Sequence, residues 1–123
     1  MFTVNEKELE YDVFDADKME AFESAMEKVS REMEALEQEK DSLSASQSIR
    51  RQCGAVAECF DSLFGPGTAV DLFDGRINLK LALQSFGELV KGIENQSGEV
   101  KELSRNIRAT SKSRARSTKK AAK

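Results

Sequence analysis

Phe60-Asp61-Ser62-Leu63-Phe64-Gly65-Pro66-Gly67-Thr68-Ala69-Val70-Asp71-Leu72-Phe73-Asp74-Gly75-Arg76-Ile77-Asn78-Leu79 is the stretch on which the fold turns. It places two helix stops and two helix starts in close succession. Gly65 follows an apolar run and is free to take the left-handed conformation that closes a helix, and Pro66, without an N–H, forbids continuation. Thr68, with Asp71 three residues on, reads as the cap of a short helix ending near Gly75, and Asn78 as the cap of a longer one. The segment is a joint between helices with no catalytic constellation in it.

Upstream of the joint, Ile49, Cys53, Val56, Phe60 and Leu63 recur at spacings of four and three, and Ala57 and Phe64 widen the stripe. That pattern predicts a helix ending at Phe64 and forming the centre of the core. Gly54 inside it marks either the close approach of a neighbouring helix or a tolerated glycine. The polar run Asp41 to Ser48 reads as a turn with Ser44 or Ser46 as the cap. Before it, Met19, Phe22, Met26, Val29, Met33 and Leu36 form the seam of another helix, started by Asp17 with Glu20.

Downstream, Leu79, Leu83, Phe86, Val90 and Ile93 make a third stripe, supported by Ala82 and Leu89. The spacing continues through Val100, Leu103 and Ile107. Two readings stay open: one long helix with Gly98 inside it, projecting past Gln96, or a break at Ser97-Gly98. At the other end, Phe2 and Val4, then Leu9, Tyr11 and Val13, alternate with polar residues on either side of Asn5-Glu6-Lys7, as a short β-hairpin does. Two strands alone are marginal in water, so the hairpin lies on the helices or pairs with another copy. The expected fold is mainly α: a domain over 1–108, with a hairpin (1–15) followed by three to four helices in a small bundle, and a disordered or extended basic tail over 109–123.

The chain has 123 residues, one third of them charged, no His and no Trp. This supports one modest core and leaves self-association open. No run approaches the roughly 20 apolar residues that cross a bilayer, so no membrane partner is expected. Met1 to Glu10 lacks the basic start and apolar block of a secretory signal, which points to residence in the cytosol where the chain is made. Cys53 and Cys59 fall on different helix faces with no histidine to complete a zinc site, and read as reduced apolar residues. Asp12, Asp15 and Asp17 lack the glycine and distal glutamate of a calcium loop, and Gly65-Pro66-Gly67 lacks the Gly-Lys-Ser/Thr of a phosphate loop. The expectation is a protein that is not an enzyme, with no cofactor and no metal.

Charge is unevenly spread. Residues 1–100 hold 21 acids against 10 bases, a net −11, whereas residues 101–123 hold 9 bases and 1 acid, a net +8. The basic residues Arg105, Arg108, Lys112, Arg114, Arg116, Lys119, Lys120 and Lys123 suit phosphates, but no aromatic side chain stands among them to stack on bases. With an acidic body repelling nucleic acid, an acidic protein surface, including another copy, is the favoured target.

The runs Leu63 to Asn78 and Val4 to Asp15 carry a resemblance. The first is similar to the pattern in tail assembly chaperones of long-tailed, siphovirus-type phages of Gram-positive bacteria, where a Gly-x-Gly-like turn, a short helix closing on Phe and a Gly-Arg-x-Asn step precede the last helix. The second resembles the opening of small proteins encoded among phage tail genes. The resemblance implies a chaperone that coats the tape measure protein and recruits tail tube subunits in the host cytoplasm. The residues assigned to partner binding, as a helical platform, are Phe60, Leu63, Phe64, Phe73, Arg76, Leu79, Phe86 and Val90, all of which read equally as core. The net −11 of the body supports an alternative, a small acidic phage protein that binds or inhibits a host defence protein, or is sensed by one. On this reading, exchanging Phe73 and Arg76 for Ala and Glu keeps the helical circular dichroism and abolishes partner capture.

Overall fold

The computed structural model describes residues 1–122, with side chains for residues 1–109. The fold is mainly α, a two-stranded antiparallel hairpin followed by four α-helices. Strands β1 (Phe2–Val4) and β2 (Lys7–Leu9) pair Phe2 with Leu9 and Val4 with Lys7. The turn is the two residues Asn5 and Glu6, with φ of 49° and 66°; positive φ at both positions matches the right-handed twist of a tight hairpin. Lys7 is therefore a strand residue and not part of the turn. Tyr11 and Val13, expected in the second strand, lie beyond it, and both are buried as the chain crosses to the first helix.

Helix α1 (Ala16–Glu39) starts two residues earlier than the sequence suggests, because Asp15 and not Asp17 is its cap. The Asp15 carboxylate accepts from the backbone N–H of Asp17 (2.9 Å) and Lys18 (3.3 Å), satisfying donors that the first turn leaves open. The Tyr11 hydroxyl donates to the Lys18 carbonyl at 2.6 Å and ties the incoming chain to the same turn. A single 3-10 turn at Lys40–Ser42 leads to α2 (Ala45–Phe64), where Ser44 makes the full capping box with Gln47. Arg51 of α2 reaches back to α1, donating to Glu32 at 3.0 and 2.8 Å and to Glu39 at 2.6 Å. Solvent screens this partly exposed network, so it contributes little, and packing holds the pair of helices together.

The core sits on α2. Val56 and Phe60 have no exposed surface, and α2 contacts α1, α3 (Thr68–Phe73) and α4 (Leu79–Ala122). Phe60 meets Phe73 edge-on at 5.9 Å and lies nearly parallel to Phe64 at 6.2 Å. Met19, Phe22, Met26 and Met33 are half-buried and Val29 and Leu36 buried, as the α1 stripe predicts.

The joint differs from the sequence reading in detail. Gly65 has φ 108° and ψ 156°, a mirror-image extended conformation, and the left-handed residue is Gly67. Thr68 is the first residue of α3 and not its cap; its hydroxyl donates to the Gly65 carbonyl at 2.7 Å. Asp61 of α2 instead accepts from the Ala69 N–H at 2.9 Å. Asn78 caps α4 as expected, accepting from the Leu81 N–H at 3.0 Å.

Helix α4 is continuous through Ser97 and Gly98, which settles the choice between one helix and two. Its buried face is Ala82, Ser85, Leu89 and Ile93, so Ile93 and the supporting Ala82 and Leu89 are buried as expected, whereas Leu83 is exposed and Leu79, Phe86 and Val90 are half-buried flanks. The cause is close packing by small residues. A Cβ on Gly92 would lie 2.5 Å from Cγ and 2.9 Å from Cβ of Phe2, so only glycine lets β1 lie on this helix. Gly54, by contrast, has nothing within 4 Å of its Cβ position and marks no close helix crossing. The flexible basic tail expected over 109–123 concerns side chains that, past Ala109, lie outside the described residues.

Two substitutions check this packing. Gly92→Ala forces the hairpin to shift, and overpacking of this kind costs about 1–3 kcal/mol, outweighing the gain in helix propensity; thermal melts should show a lowered midpoint. Ser85 is fully buried with an unpartnered hydroxyl, so Ser85→Ala should raise stability by about 1 kcal/mol in urea titration.

Candidate functional site

The joint builds a cleft. Its floor is apolar, from Cys53 and Ala57 of α2, Ala69 and Phe73 of α3 and Ala82 of α4, and it encloses ≈ 240 Å³. Val70 and Ile77 stand on its rim, 66 % and 55 % exposed. Arg50 and Arg76 line it as well, and neither has a carboxylate partner among the described residues. Most other rigid features of the site follow from local chemistry: Asp74 and Gly75, with φ of 52° and 71°, turn the chain after α3 and bring Arg76 and Ile77 over the cleft. The Arg76 N–H donates to the Phe73 carbonyl at 2.9 Å and fixes that turn.

Two unneutralised guanidinium groups beside exposed aliphatic side chains are unusual on a body of net charge −11. The larger groove between α1 and α2, ≈ 540 Å³, is different in kind. Among its charged lining residues, Glu32 is paired with Arg51 and Arg31 with Glu27, while Lys28 and Glu58 have no ion pair among the described residues.

The eight residues assigned to partner binding do not form one accessible surface. Phe60, Leu63 and Phe73 are core residues, Phe64, Leu79 and Phe86 pack against that core with part of their surface open, and Val90 is half-buried. Of the eight, only Phe73 and Arg76 line the cleft. The sequence reading missed Arg50, Val70 and Ile77. Val70 and Ile77 carried a signal in hindsight, being apolar residues outside any buried stripe, whereas Arg50 comes to the cleft only through the packing of α2 on α3.

The expectation that Phe73→Ala with Arg76→Glu leaves the fold intact is corrected by burial. Phe73 is 6 % exposed and packed edge-on against Phe60, and truncating such a ring costs about 3–5 kcal/mol. A domain of this size has little more than that to lose.

No group of three or more His, Cys, Asp or Glu is placed to hold a metal among the described residues. Both thiols are buried, and burial pushes Cys59 up to about 11. No helix is long and apolar enough to cross a membrane among the described residues. The chain belongs to the family of unknown function DUF6673, which it matches over residues 5–123. No curated protein and no solved structure matches it.

The buried thiol has a measurable consequence. An unfolded cysteine ionises near its ordinary 9.0 while folded Cys59 stays protonated to about 11, so the unfolded state loses protons first and stability falls as pH rises from 9 towards 11. Urea midpoints across that range should fall, and Cys59→Ala should flatten the fall. Native labelling by a maleimide at pH 7 should be slow for both cysteines and become fast in denaturant.

Proposed function

We propose that the protein is a non-enzymatic assembly factor that holds an amphipathic helical segment of a partner in the cleft at the α2–α3–α4 joint. The observation that carries this reading is the apolar floor rimmed by Val70 and Ile77 and flanked by the unpaired Arg50 and Arg76. A cleft of this size accepts one or two apolar side chains, and the two guanidinium groups select a segment with carboxylates beside them. The resemblance of Leu63 to Asn78 to tail assembly chaperones falls on the same residues, and it supplies the particular partner. On that reading the chain coats the tape measure protein in the host cytoplasm and recruits tail tube subunits.

The acidic body supports a second reading, in which Glu6 to Glu23 and the acids around α3 engage a basic surface of a host defence protein. Salt separates the two. Binding through exposed carboxylates fades steeply with ionic strength, whereas an apolar cleft keeps most of its affinity.

The test is capture of purified tape measure fragments by the full chain. Val70→Asp with Arg76→Glu alters only exposed side chains, so far-UV circular dichroism should be unchanged while the dissociation constant weakens by about tenfold or more. Equal capture by this variant would remove the cleft from the reading. Absence of capture of any fragment by the unaltered chain would remove the tail-assembly role.

A further inference from the structure

Helix α4 projects a basic, apolar-striped arm away from the body, and the body carries a complementary surface that the arm of the same molecule leaves uncovered. The face that buries Ala82, Leu89 and Ile93 continues along α4 as Val100, Leu103 and Ile107. Val100 is half-buried against the core, but Leu103 and Ile107 are 55 % and 68 % exposed. Lys101, Arg105 and Arg108 accompany them, all exposed, in the segment where the charge changes sign to +8. Arg105 has one intrahelical contact, to Glu102 at 3.3 Å.

The complement lies at the hairpin end of the body. Met1, Leu9 and Phe64 line a shallow depression, and Glu8, Glu10 and Asp71 stand around it. Glu8 and Glu10 give it a charge opposite to the arm's, while Asp71 already lies 3.7 Å from Lys7 Nζ. No α4 residue lines it. Because α4 is unbroken through Gly98, the arm cannot fold back over its own body to neutralise these acids.

We propose that the depression receives the α4 arm of a second copy of this chain, with Leu103 and Ile107 against Met1, Leu9 and Phe64 and the arm's bases against Glu8 and Glu10. Used reciprocally by two copies, the contact closes into a dimer with both arms covered. A parallel pairing of two arms along their apolar seam is disfavoured, since it sets two +8 segments side by side. The depression shares no residue with the α2–α3–α4 cleft, so the dimer and partner capture stand or fall separately.

The experiment is light scattering after size exclusion on the full chain at low and high salt. The expected result is twice the monomer mass at low salt, with partial dissociation at high salt as the ion pairs are screened. Leu103→Asp with Ile107→Asp should give a monomer with unchanged circular dichroism. Arg105→Glu with Arg108→Glu, and separately Glu8→Lys with Glu10→Lys, should each be monomeric alone and re-form a dimer when mixed, a rescue that a merely structural role does not produce. A monomer at low salt, or a dimer indifferent to the arm and hairpin variants, overturns the proposal. So does a chain that stays monomeric while binding a duplex DNA probe, which would assign the arm to phosphate.

Discussion

Burial of the α2 face between three other helices is the interaction on which the structure depends. Phe60 and Val56 are wholly enclosed, and Phe64, Phe73 and Leu63 extend the cluster to the joint and the hairpin. Burying such side chains contributes roughly 1.5–3 kcal/mol each, and no salt bridge on this surface approaches that. A chain this short has one such cluster, which is why the joint must be tight. The loop from Phe64 to Asn78 has to return the chain across α2 without leaving the core open, and α3 plugs it with Leu72 and Phe73.

The hairpin is held by a steric match and not by its own ladder. Three residues per strand are too few to persist alone. Gly92 offers a flat patch of helix backbone on which the Phe2 ring rests, and Tyr11 meets Phe64 at 5.4 Å on the far side. Asn5 then donates through its side chain to the Leu72 carbonyl, and Lys7 pairs with Asp71 and Asp74, so the turn is fixed to α3. The fold thereby ties its first residues to its joint, and the same contacts shape the acidic depression beside them.

Charge separation along the chain acquires meaning only through rigidity. With a flexible connection, the +8 segment would neutralise the acidic body of its own molecule. Helix α4 is continuous through Gly98 and leaves Lys101, Arg105 and Arg108 exposed. The unpaired arginines of the cleft make the same point on a smaller scale, since they sit on an acidic body yet face an apolar hollow and not a carboxylate.

Sequence alone determined what depends on neighbours in the chain. The hairpin, the seam of α1, the end of α2 at Phe64, and the cap Asn78 are local, because capping bonds span three residues and helical periodicity is read over a few turns; the choice of Ser44 over Ser46 came from the structure. The phase of α4 was legible only in part: Ile93, with Ala82 and Leu89, is buried as the sequence indicates, but Leu83 is exposed and the fully buried Ser85 carried no hydrophobic signal. The cap of α3 was not legible either, since Asp61 reaches it from the preceding helix. For the same reason the candidate site was only half visible. Phe73 and Arg76 belong to the quoted joint, but whether a phenylalanine lies in the core or on a surface, and whether Arg50 meets Arg76 across a cleft, are decided by packing between elements far apart in sequence.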